Sequence, residues 1–148
     1  MGMHSNPRPH APVPDPQCGP CSRTTIADAH AGLNAARRAT LPSEPWQRCQ
    51  FHLQQNAQAY VPRQALKAEV AADIRAVFNA ADRPAAELLL KQTVARYAVT
   101  APKLADWLET NIPEGLTVFA RPAHQRRLLR TVNGLERLNR EIARRTRV

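Results

Sequence analysis

Aromatic residues make up only 5% of this 148-residue chain. Glycine is equally scarce, with Gly115 and Gly134 alone occurring after the first third. Strands favour aromatic and β-branched side chains, so a chain rich in Ala and Leu but poor in these is expected to be mainly helical. No apolar run approaches the roughly 18 residues of a membrane-spanning helix, and the N-terminus lacks a signal peptide's apolar centre. A cytoplasmic protein with no membrane partner is expected. The three cysteines, Cys18, Cys21 and Cys49, are too few, and odd in number, for a disulfide scaffold. Lysine is nearly missing too, with 3 against 18 arginines.

What is present suits one folded domain, since 43% of residues are apolar and the length supports a single core. The net charge of +9 is unevenly placed. From Arg121 onward nine arginines face two glutamates, Glu136 and Glu141. Such an excess is an electrostatic footprint for a polyanion, and guanidinium groups suit bidentate phosphate contacts. A solvated basic face is the plainer reading of the same residues.

Six of the thirteen prolines fall in residues 1–22, so residues 1–23 read as an extended, Pro-rich tail. Thr24 to Ile26 then forms a short β-favouring run ending at Asp28, and Gly32 to Ala39 a helix with Leu33 and Ala36 facing inward. Trp46 to Leu53 alternates as a second strand running into a helix, which sets Phe51 with Cys49 and Leu53 on one side. Strand, helix, strand is a piece of an α/β sheet.

From Pro62 the period changes. Leu66, Val70, Ile74 and Phe78 repeat every four residues; Asp82 before Pro84 marks a helix start; and Leu90, Val94 and Tyr97 continue the pattern. Pro102 opens a helix carrying Leu104 and Leu108, which Asn111 and Pro113 end. These helices predict a compact bundle over about residues 62–120. In the terminal helix Leu135, Leu138 and Ile142 form the expected core stripe, and Glu136, Arg140 and Arg144 lie one turn apart beside it.

The chemically suggestive residues have more than one reading each. Cys18-Gly-Pro-Cys21 has the spacing of a redox pair, but no strand precedes it and no long helix follows. Joined with Cys49 and His52 it offers four soft ligands of the kind that bind zinc, against a tail accident plus a buried cysteine. Asn133 to Glu136 has the spacing of a capping box, while Glu136 beside arginines also suits a metal-and-phosphate site. Asp28 reads equally as a turn residue, and His52 as a satisfied core histidine.

Three blocks in order, IADAHAGLNAARRA, PWQRCQFHLQQNA and LTVFARPAHQRRLLRTVNGLERLNREIARRTRV, together resemble the Mutator-type transposases of bacterial insertion sequences. The resemblance covers residues 26–148. It implies an incomplete ribonuclease-H-like core with an all-helical insertion, and a partial catalytic domain over residues 24–148. It matches Asp28 to the second and Glu136 to the third of three metal-binding carboxylates, with Cys49 and His52 as the C-x-x-H element between them. Two Mg²⁺ ions on such a set would serve DNA cleavage and strand transfer. Arg126, Arg127, Arg130, Arg137, Arg140, Arg144 and Arg145 become candidates for holding DNA, with insertion-sequence ends as the partner and a homo-oligomer as the intact family's assembly.

The family's first Asp has no counterpart: the sole acid before Asp28 is Asp15, in PVPDPQ, where proline denies a strand its donors. The expectation is a transposase truncated at both ends, inactive alone, with a leader to about Arg23 read out of frame. The alternatives are a small basic DNA-binding protein without metal chemistry, and an unfolded relic.

Overall fold

Thr25, Ile26 and Ala27 form a strand, β1, that pairs in parallel with β2, Trp46–Arg48, in the register Thr25 to Trp46 and Ala27 to Arg48. The computed structural model describes residues 24–28 and 30–146. Parallel strands need a crossover, supplied here by α1, Ala31–Thr40. The sheet has two strands among the described residues. The architecture is therefore mainly helical with a small α/β piece, as the composition predicts.

β2 runs directly into α2, Gln50–Ala57. The alternation expected over Trp46 to Leu53 is not kept in burial even within the strand, where Gln47 and Arg48 are both buried. Once the backbone turns helical at Gln50, the period of two gives way to 3.6, and Phe51 swings outward while Leu53 and Ala57 stay buried. After two short 3₁₀ turns come α3, Lys67–Phe78, α4, Arg83–Tyr97, and α5, Pro102–Asn111.

The four-residue stripe performs as its spacing requires: Val70, Ile74 and Phe78 are buried, with Leu66 packed at the edge. Asp82 caps α4, its Oδ1 accepting from the Ala85 N–H at 2.9 Å, and prolines occupy the first turns of α4 and α5, where the missing donor costs nothing. Leu104, Leu108, Ile112, Leu116 and Val118 complete the core, α5 packing against α4 and α2. Between α3 and α4, Asp73 accepts from both the Tyr97 hydroxyl, at 2.7 Å, and Arg96, at 2.9 Å. Burial first, then the Asp73 hydrogen bond, raises the Tyr97 phenol well above the usual tyrosine range.

Buried amides tie this bundle to the strands. Gln47 is fully buried; its Nε2 donates to the Gly115 carbonyl at 2.7 Å and to the Arg48 carbonyl at 3.0 Å, and its Oε1 accepts from the Val118 N–H at 2.8 Å. Gln50 donates to the same Gly115 carbonyl at 2.8 Å. Arg48, also buried, reaches Asn111 at 2.8 Å and Glu114 at 3.0 Å. A burial of this depth is tolerated because each of these side chains has partners, Arg48 through its Nη1 end while its Nε is buried without one.

Two expectations about helix faces are overturned. α1 has no buried residue: Leu33 is 47% exposed and Ala36 lies in solvent. The chain continues through two 3₁₀ turns and the short α6, Ala123–Arg126, into α7, Asn133–Thr146, where Leu135, Leu138 and Ile142 are 64%, 54% and 50% exposed. Both helices are amphipathic, but periodicity shows only which side could be buried, and here no described element covers either stripe.

Candidate active site

In a parallel pair both carboxyl ends open on one edge, which is where α/β folds place ligands. Asp28 directly follows β1, and His52 sits in the first turn of the helix that follows β2, so the topology sets both on that edge. The Ala27 carbonyl accepts from the Cys49 N–H at 2.9 Å, extending the ladder to the root of α2.

Glu136 arrives from the far end of the sequence by a separate anchor. The Gln50 N–H donates to the Arg130 carbonyl at 2.9 Å, and the fully buried Cys49 thiol donates to the Thr131 hydroxyl at 3.5 Å. Thr131 also accepts from the Asn133 N–H at 3.1 Å, at the start of α7. These contacts seat the first turn of α7 over α2. His52 then lies between two carboxylates, its Nδ1 3.6 Å from Asp28 Oδ2 and its Nε2 3.6 Å from Glu136 Oε1. Both separations are ion-pair rather than hydrogen-bond distances. The imidazole is largely covered, 18% exposed, while the Asp28 and Glu136 side chains remain 49% and 44% exposed.

This arrangement disfavours the capping-box reading of Glu136. Asn133 is the first helical residue, the Glu136 N–H donates to the Val132 carbonyl at 3.0 Å, and the Glu136 side chain looks across to His52. Nor does Glu136 pair with Arg140: the intrahelical pairs of α7 run from Glu141 to Arg144 and Arg145, at 2.8 and 2.7 Å. Those two hydrogen bonds, Arg144 first, hold the Glu141 carboxyl below the usual range.

The candidate DNA-binding arginines divide accordingly. Arg126 donates to the Arg121 and Ala81 carbonyls and lies over the Phe119 ring; Arg130 donates to Asn79 at 2.6 Å. Arg130 is held below the usual arginine range by burial and then by Arg126. Arg144 and Arg145 are committed to Glu141. Arg127, Arg137 and Arg140 are exposed and, among the described residues, form no ion pair or hydrogen bond.

Cys18 and Cys21, and with them the redox motif and half of the four-ligand zinc set, lie outside the described residues; Cys49 donates to Thr131, and His52 faces the two carboxylates at 3.6 Å. Among the described residues no group of three or more His, Cys, Asp and Glu is placed to hold a metal. Mg²⁺ is commonly held by one or two carboxylates while waters and substrate phosphates supply the remaining oxygens; Asp28 and Glu136 carry oxygen donors of that kind, on either side of the His52 ring.

A sequence model described as "Transposase, Mutator family" matches residues 22–148. The chain belongs to the Mutator family of transposases. Over 123 residues it is 64% identical to the transposase for insertion sequence element IS406 of Burkholderia multivorans, covering 83% of this chain and 32% of that protein. It is 36% identical over 123 residues to the transposase for ISRM5 of Rhizobium meliloti, covering 83% and 31%, and 36% identical over 125 residues to that for IS1081 of Mycobacterium tuberculosis, covering 82% and 29%. This Mutator-family chain thus spans about a third of the length of the curated relatives it matches.

Sequence reasoning missed Phe51, Asn133 and Asn139 as site residues. With Glu136, Arg137 and Arg140 they line a cleft of about 600 Å³. The available signal was Phe51 itself, an aromatic residue inside the polar run QFHLQQN and out of helical phase with Leu53 and Ala57.

Proposed function

We propose that this chain carries two of the three metal-binding acids of a DNA-strand-transferring site, of the ribonuclease-H-like, three-carboxylate type. The supporting observation is His52 lying between Asp28 and Glu136, which brings together two carboxylates far apart in sequence. Asp28 and Glu136 would hold Mg²⁺, which when bound stabilises the charge that develops on phosphate oxygens during an in-line displacement. His52 fixes the spacing of the two acids, and the Cys49–Thr131 and Gln50–Arg130 contacts keep α7 seated so that Glu136 stays at the strand edge. The exposed Arg127, Arg137 and Arg140 neutralise DNA phosphates in the cytoplasm, the DNA being insertion-sequence ends.

With two acids and not three, the chain by itself is inactive as a transposase. Nicking or joining of terminal-inverted-repeat DNA by the purified 148-residue chain with Mg²⁺, lost in Glu136→Gln, would overturn that conclusion. The metal site is read directly by Mn²⁺ electron paramagnetic resonance: binding should weaken in Asp28→Asn and in Glu136→Gln. Unchanged Mn²⁺ binding in both variants rejects the metal reading. It would leave the alternative, a basic DNA-binding protein indifferent to Mg²⁺, for which the unpaired arginines alone speak.

A further inference from the structure

Phe51 is the residue that the proposed site leaves unused. It stands beside His52, its ring meeting the imidazole edge to face at 5.4 Å, yet 48% of it is exposed while the opposite side of α2 is packed into the core. The cleft it borders, about 600 Å³, falls in the size range of sites for small organic groups. The remaining lining residues are all polar: Asn133, Glu136, Arg137, Asn139 and Arg140.

Their chemistry is specific. Arg137 and Arg140 keep their charges uncommitted among the described residues, in contrast to Arg144 and Arg145 further along the same helix. The side-chain amides of Asn133 and Asn139 offer donors and acceptors together, the mixture found on a nucleobase edge. An aromatic ring, amides and unpaired cations around one cleft match a base, its edge and its phosphates. Bases inside a duplex have both faces stacked, so only a base out of the helix can lie on Phe51.

We propose that the cleft between Phe51 and the first two turns of α7 seats one unpaired nucleotide of a DNA strand. The base stacks on Phe51, and Arg137 and Arg140 hold the flanking phosphates next to Glu136. The proposal rests on the DNA reading above and adds to it which form of DNA is held at the carboxylates, and by which residue.

The test measures binding of the full chain, in EDTA and at fixed low salt, to a single strand carrying 2-aminopurine and to a fully paired blunt duplex. Anisotropy gives affinity and 2-aminopurine quenching reports stacking. Phe51→Ala should weaken single-strand binding about tenfold and abolish the quench, while leaving duplex affinity within about twofold; Phe51→Trp should retain both signals. The double variant Arg137→Ala/Arg140→Ala should weaken both substrates. Because Phe51 is half exposed, the Ala variant should keep the wild-type circular dichroism spectrum and melting temperature. Single-strand binding and quench unchanged in Phe51→Ala, or an equal loss on duplex, overturns the nucleotide seat while the DNA reading stands. If the wild-type chain binds neither substrate, the DNA reading falls and the seat with it.

Discussion

Replacing Gln47 by Met would remove three hydrogen bonds while leaving nearly the same volume in place, because an unbranched thioether fills an irregular buried slot well. The Val118 N–H, on a residue with no solvent exposure, loses its acceptor. An unsatisfied buried donor costs about 1–3 kcal/mol. The bonds to the Arg48 and Gly115 carbonyls are lost as well, each worth about 0.5–1.5 kcal/mol net. The Gly115 loss is softened, since Gln50 still donates to that oxygen. The expected destabilisation is about 2–4 kcal/mol, which for a domain of this size lowers the melting temperature by roughly 10 °C. Urea unfolding should show a lower midpoint with unchanged slope, the signature of lost stability rather than an altered unfolded state. Adding Gln50→Met orphans the Gly115 carbonyl, so the double variant should lose more than the sum of the single losses. A Gln47→Met protein within about 0.5 kcal/mol of wild type would refute the argument that these amides join the strands to the bundle.

Two further outcomes follow from packing and charge. Gly115→Ala should destabilise by about 1–3 kcal/mol in urea, because the new Cβ would stand 2.7 Å from Leu53 Cδ1 and 3.0 Å from Phe78 Cε1, both buried and unable to retreat into solvent. Glu141 has a folded-state pKa depressed by Arg144 and Arg145, so its contribution to α7 is present above the ordinary glutamate range and is lost as pH falls through the lowered folded value. Circular dichroism should therefore show wild-type α7 fraying on acidification, and Glu141→Gln should remove that part of the pH dependence.

The helical bundle was legible because its signals are local. The Leu66-to-Phe78 stripe, the Asp82 cap and the prolines opening α4 and α5 each act within a turn or two, and tertiary packing agrees with them. Leu33 and the Leu135 to Ile142 stripe read just as clearly and are exposed. The pattern in a helix is the same whether or not a partner is there to cover it, so amphipathicity predicts a face without predicting its burial. Phe51 failed for a different reason: a period of two was carried on to Leu53, past the point where β2 becomes α2.

The site was half legible. Asp28 and Glu136 stood out through family resemblance, with His52 in the C-x-x-H element between them, but nothing in their spacing says that one imidazole faces both acids. What joins them is the edge formed by two parallel strand ends and the docking of Arg130 and Thr131 onto the start of α2. Those contacts are made by backbone groups and by a cysteine that a zinc reading would have used otherwise. Cys49 and His52 face different partners: the buried thiol donates to Thr131 ahead of α7, and the imidazole, three residues later, faces Asp28 and Glu136. Residues three apart inside a helix would share a face, but Cys49 is the N-cap of α2 with non-helical φ and ψ, so its side chain is freed from the direction that the first turn gives His52.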